Sequence, residues 1–324
     1  MKKIVKNITL CLSLLLVHST FALRAQVVSV GDHELAIDDP SFFYDNAEAA
    51  LSQQDALYKA VLLFKTHDRP LLIKLYYRDA SGREYKSMFK PNIRKISGNS
   101  SYTYRPGPIE HSFNALAKKL APYSEFRSAP LQMLAITKEK IISIAKDDPD
   151  TKVDERRELI DALNGVATYT SEPVYQNGNQ LVGSNMLWMT DIAMVGNNRD
   201  QWRSKTSSLD PRSSRDLSII QLFLLDYITA NNDRAGNIFK SNVTGLAWAI
   251  DNDDSFVAAS AKKYCQDIAA KVANPGRDFL SGLRALNDMS SQQWEAIFAY
   301  HSSSQRDKYI EQTRSRIKSI LRRF

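Results

Sequence analysis

Cysteine is almost missing from this chain: 324 residues hold two, Cys11 and Cys265. Cys11 falls inside residues 1–25, where Lys2, Lys3 and Lys6, the apolar run "ITLCLSLLLV" and the small residues of "HSTFALRA" read as a removable export signal. No lipoprotein cleavage box flanks it, so Cys265 is alone in the mature chain. That excludes an internal disulfide and a zinc site built on thiolates. Long apolar runs are missing too. Beyond the signal nothing reaches the roughly 18 apolar residues a membrane span needs, and "LFLLDYI" already carries Asp226, so stable membrane insertion is not expected. There is no internal repeat, no low-complexity tract and no nucleic-acid motif, and the basic residues are not interleaved with aromatics. Nucleic acid is therefore not an expected partner.

With 43% apolar residues, the chain is long enough for one two-lobed domain or two small ones. The C-terminal "RDKYIEQTRSRIKSILRRF" places Ile310, Ile317, Leu321 and Phe324 on one helical stripe. Arg314, Arg316, Lys318, Arg322 and Arg323 surround it, which predicts a docked last helix with a solvated basic face.

In the front part, "LLIKLYYRD", "DASG" and "REYKSMFKP" read as strand, turn and strand: a hairpin ending at Lys90-Pro91. "SGNSSYTYRPGP" reads as a loop, and "IEHSFNALAKKLAPY" as a helix with Glu110 in its first turn. Residues 131–165 read as helical and charged, and their acidic run "KDDPDTKVDERRE" lacks the ligand alternation and glycine of a calcium loop. A strand, a turn at Asn177-Gly178 and a connector follow. Then "SSRDLSIIQLFLLDYI" starts with Ser213 and Asp216 in capping-box spacing, carries Leu217, Ile220, Leu224 and Ile228 on one stripe, and stops at Ala230. The predicted architecture is α+β and two-lobed: an N-lobe over 26–182, a connector over 183–196 and a mainly helical C-lobe over 197–324.

Two acidic loops carry the chemistry. "NNDRAGNIF" follows the buried helix, where unpaired charge is costly. "GLAWAIDNDDSF" then delivers Asp251 from a short apolar strand, 18 residues after Asp233. Two such loops can converge on one cation. Kinases are arranged this way, with one Asp to position the attacking hydroxyl, a second to hold metal, and a strand Lys held by a helix Glu. Phosphoryl transfer needs little else, because it is mainly positioning and charge neutralisation. Lys90 at a strand end and Glu110, 20 residues later on a helix, complete the set.

"LFLLDYITANNDRAGNIF" and "AIDNDDSF" resemble the Four-jointed and secretory-pathway atypical kinases, which include the Golgi casein kinase and a xylosylkinase. "LLIKLYYRDASGREYKSMFKPN" is similar to that family's nucleotide-lysine hairpin, and "LVGSNMLWMTD" to its adenine-packing connector. The resemblance spans about residues 70 to 324. It implies an atypical protein-kinase fold with Asp233 as the catalytic Asp, Asp251 and Asn237 as metal ligands, Lys90 as the phosphate lysine, and Glu110 as its partner or a metal contact. Leu187, Trp188 and Met189 would lie near adenine. It implies ATP with Mg²⁺ or Mn²⁺ as cofactors, and a protein Ser/Thr as acceptor, with a sugar hydroxyl as the rival. The chain departs from the pattern in three places. Its Asp-to-Asn loop is one residue short, no His follows Arg234, and no Gly-rich loop precedes Lys90. A nucleotide-binding pseudokinase is the alternative these departures raise. Export plus kinase features suggests a secreted or periplasmic protein, with a host target if it is an effector.

Overall fold

The computed structural model describes residues 26–30, 33–37, 47–64, 71–78, 80, 82, 84–97, 100–104, 106–147, 152–164, 167–168, 180–189, 192–196, 206–231, 234, 238–256, 266, 269–272 and 274–324. Residues 1–25, read as an export signal and holding Cys11, the turn expected at Asn177-Gly178, Asp233, Asn237 and Cys265 lie outside them. The described residues form a mixed α/β structure of antiparallel sheets and helices, with one parallel strand pair.

β1 (Gln26–Val30) and β2 (His33–Ile37) form a separate ribbon. β3 (Leu57–Phe64), β4 (Leu72–Arg78) and β5 (Glu84–Pro91) begin a five-stranded antiparallel sheet that ends with β11 (Gln180–Leu187) and β9 (Leu131–Thr137). The expected hairpin is its middle, pairing Ile73 with Phe89 and Tyr77 with Tyr85. Alternation along β4 buries Ile73, Leu75 and Tyr77 and leaves Lys74, Tyr76 and Arg78 on the other face. The buried face packs on two helices placed between β9 and β11 in the chain, at Lys138–Asp147 and Val153–Asn164. Ile141, Ile144, Leu159 and Leu163 come from those helices into that core.

A second core is helical. α1 (Pro106–Leu120) precedes the two helices just given, which are α2 and α3; α4 (Ser214–Thr229), α5 (Arg277–Asn287), α6 (Ser291–Ile297) and α7 (Ser303–Arg323) follow. All but α2 and α3 contribute to the second core, beside a small sheet ordered β12 (Ile192–Gly196), β13 (Ile238–Ser241), β14 (Ala247–Ala249) and β8 (Arg127–Ser128). α1 joins the two halves, since Phe113, Leu116 and Leu120 enter the helical core while the helix lies across β11 and β9.

Several expectations need correction. Leu131–Thr137 is a strand, not helix, because its apolar run is paired to β11 along its whole length; a short apolar run does not disclose its period. The segment read as a loop before α1 forms the hairpin β6 (Ile93–Ser97) and β7 (Ser100–Tyr104), extended by β10 (Ala167–Thr168). α1 begins at Pro106, so Glu110 occupies its second turn rather than its first. Residues 183–187, assigned to the connector, finish β11. Ser213 caps α4 by accepting the Asp216 N–H, but the Asp216 carboxylate accepts from the Asp210 N–H at 3.0 Å instead of closing the box. The basic side chains of α7 are not all solvated either. Arg316 donates to the Ile228 carbonyl at 3.1 Å, in the last turn of α4 where such carbonyls lack helical partners, and Arg323 donates to the carbonyls of Ala269, Ala270 and Val272.

Candidate active site

Strand parity puts Lys90 on the face of the large sheet opposite the α2–α3 core. Phe89 enters that core, while Lys90 faces α1 together with Ser184, its partner across β11. The two strands approach closely here. A Cβ on Gly183 would collide with the Lys90 carbonyl oxygen and the Pro91 backbone, so glycine is what lets the sheet close beside Lys90.

Lys90 Nζ lies 2.5 Å from Glu110 Oε1 and 2.5 Å from Asp251 Oδ1, with Asp253 Oδ2 at 3.8 Å. Lys90 and Glu110 are 0% and 1% exposed, whereas Asp251 and Asp253 are 12% and 13% exposed. The cluster is therefore sealed on the sheet side and open on the side of the Asp251 loop. Ser184 donates its hydroxyl to Glu110 Oε2. Burial pushes the Glu110 carboxyl up; the Lys90 charge opposes this, and the Asp253 and Asp251 charges add to it. Ligand oxygens of Glu110, Asp251 and Asp253 all lie within 4.8 Å of one another. Three hard oxygen donors at that spacing, with one ammonium among them, fit a divalent cation of the Mg²⁺ or Mn²⁺ type.

Asp251 reaches the cluster because β14 is buried and ends two residues earlier. Its φ of 53° is left-handed, a region that Asp tolerates better than most residues. The loop is anchored behind it: the Phe256 N–H donates to the Thr229 carbonyl at 2.6 Å, and the Phe256 ring meets Phe298 edge-on at 5.2 Å. The end of α4 and the Asp251 loop thus form one unit. Arg234, also buried, holds Asp226 at 3.0 Å. Burial raises the Asp226 carboxyl and the guanidinium opposes that rise.

On the same sheet face as Lys90, Ala129, Leu131 and Met186 are buried, and Met88, Met189 and Ile250 pack on them half-buried. Of the three residues assigned to adenine, Met189 belongs to this patch. Trp188 is half-buried beneath Lys74 Nζ, 4.0 Å from the ring centroid. The Leu187 side chain does not reach it: period-2 alternation turns it into the opposite core, and Met186 takes the place.

Lys90, Glu110 and Asp251 are brought together, and Asp233 and Asn237 lie outside the described residues. Asp253, Ser184 and Met186 were missed from the sequence. Asp253 had a signal, its position two residues after Asp251 in "DNDD"; Ser184 and Met186 had none before the register of β11 was known.

No family model matches the chain, and no curated protein does. Among solved structures it is similar, at 12% identity over 78% of its length, to the FAT and kinase domain of CtTel1, with a TM-score of 0.32. The complete CtTel1 dimer with C2 symmetry, at 0.32, and the open conformation of CtTel1, at 0.30, match over the same share of this chain. The chain spans 21% of the first of these and 11% of the other two. A likeness this loose defines neither fold nor chemistry, so the chemistry is read from the side chains.

Proposed function

We propose that the protein is a phosphotransferase of the kinase type, which binds ATP with Mg²⁺ or Mn²⁺ and passes the γ-phosphoryl group to a Ser or Thr hydroxyl of a protein. The carrying observation is that Lys90 meets Glu110 and Asp251, which stand 20 and 161 residues away in sequence, at 2.5 Å each. Chain elements so far apart converge on one buried ammonium in the order that phosphoryl transfer uses. Beside them the patch of Met88, Leu131, Met186, Met189 and Ile250 offers an apolar bed for the adenine ring.

In this reading Lys90 neutralises phosphate oxygens and Glu110 holds it in place, with the Ser184 hydroxyl fixing the second Glu110 oxygen. Glu110, Asp251 and Asp253 would hold the metal, which supplies charge neutralisation across the triphosphate. Asp233 is assigned to orient the acceptor hydroxyl and Asn237 to a second metal position, both on the sequence motif alone. Descent from the Four-jointed type of kinase is part of the proposal, as are the two-lobed division and export guided by residues 1–25, which would put the acceptor outside the producing cytoplasm.

The test is incorporation of labelled phosphate from ATP by the purified protein with either metal, beside Asp251→Ala. Incorporation by the wild type and its loss in the variant are expected. Thermal stabilisation by ATP without incorporation would instead identify a nucleotide-binding pseudokinase, and neither effect with either metal would overturn the reading.

A further inference from the structure

Asp251 holds a left-handed backbone conformation, with φ 53°, at the point where the site needs its carboxylate. Residues of this kind persist only where their surroundings over-determine them. Arg234 provides that constraint. Its Nη1 donates to the Ile250 carbonyl at 3.0 Å and its Nη2 to Asn252 Oδ1 at 2.5 Å, so one guanidinium grips the residues on both sides of Asp251. The guanidinium is itself fixed: Nε reaches both Asp226 oxygens at 3.0 Å and Nη2 reaches Oδ1 at 3.0 Å. It also lies 5.3 Å from the centroid of the Phe113 ring, three residues beyond Glu110 on α1.

We infer that Arg234 is a positioning residue, a buried fork that sets Asp251 and ties it to the end of α4 and to the helix carrying Glu110. As a statement about activity this rests on the nucleotide reading above; as a statement about geometry it does not. Asp226 serves as the counter-ion that makes a fully buried arginine tolerable, because an isolated buried charge is prohibitively costly. A lysine cannot replace it: a point charge on a flexible stem bonds Asp226 but cannot span Ile250 and Asn252 together.

Hydrogen exchange on the unliganded protein tests this, comparing wild type with Asn252→Ala and Arg234→Lys. Asn252→Ala removes one arm and leaves the Asp226–Arg234 pair in place. Amides of residues 251–256, including the bonded Ser255 and Phe256 N–H groups, should exchange at least about tenfold faster in both variants, while α5 and α7 keep wild-type rates. With metal–ATP, the KM for the metal–nucleotide should rise about tenfold in Asn252→Ala and the KM for the acceptor should not move. Unchanged exchange at 251–256, or equal acceleration in every helix, overturns the inference, the second because it marks plain loss of stability. If the wild type binds no metal–nucleotide, the nucleotide reading falls and the exchange comparison still decides whether Arg234 sets the loop.

Discussion

Lys90 and Asp251, 161 residues apart in sequence, meet at 2.5 Å, with Lys90 wholly buried and Asp251 at the open side of the cluster. The ammonium is shared with Glu110, so removing any one of the three groups changes the charge balance of the other two. The consequences can be measured.

Lys90→Met should abolish phosphate transfer and also destabilise the fold. Taking one partner from a buried pair leaves Glu110 without its counter-charge, at a cost of about 3–5 kcal/mol. Mn²⁺ should then raise the melting temperature of the variant more than that of the wild type, since the cation substitutes for the lost ammonium. Equal shifts in the two proteins would show that the cation does not take the place of the lost ammonium, and no shift in either that the carboxylates do not hold metal.

Asp253→Asn keeps size and removes charge from a group that is 13% exposed. Metal affinity, followed by titration against ATP turnover or by Mn²⁺ binding, should fall about tenfold or more, which corresponds to about 1.4 kcal/mol. Stability should change little.

Met186 and Leu187 are sequence neighbours on opposite faces of β11. Met186→Ala should raise the KM for ATP several-fold. Leu187→Ala should instead cost about 2–5 kcal/mol of stability, read from denaturant midpoints, and leave that KM unchanged. A KM effect at Leu187 and none at Met186 would reverse the assignment of faces.

His111, on α1 against the Tyr300 ring at 4.6 Å, has its imidazole pushed down to about 4 by burial, helped by the Lys118 charge and opposed by a backbone bond to Ile297. Its ordinary value is 6.5. Between those values the unfolded chain binds the proton and the folded one does not, so stability must fall as pH drops from about 6.5 towards 4. The loss is on the order of 3 kcal/mol. His111→Gln should flatten that part of the stability profile, and an unchanged slope would place the acid sensitivity elsewhere.

How much of the site was readable in advance follows the range of the interactions involved. The hairpin bearing Lys90 was visible because alternation is a local property, and the helix ending at Ala230 because an apolar stripe and its polar stop are local as well. The strand at Leu131–Thr137 was not visible, since only pairing with β11 distinguishes its apolar run from a helix. Likewise the arginines of α7 look like a solvated face until the open carbonyls they meet, at Ile228 and at Ala269 to Val272, are brought alongside.

Composition and spacing alone were enough to leave too few thiols for a zinc site built on cysteines and to single out Lys90, Glu110 and Asp251, because residue type and order are properties of the chain. Folding added what depends on partners far along the chain. It turned Met186 rather than Leu187 to the Lys90 face, drew in Asp253 as a further carboxylate, and gave the buried Asp226 its partner in Arg234. A strand carries its own period but not its register, and a charge carries its sign but not the counter-ion it will meet. Those choices are settled only when the sheet, α1 and the end of α4 pack together.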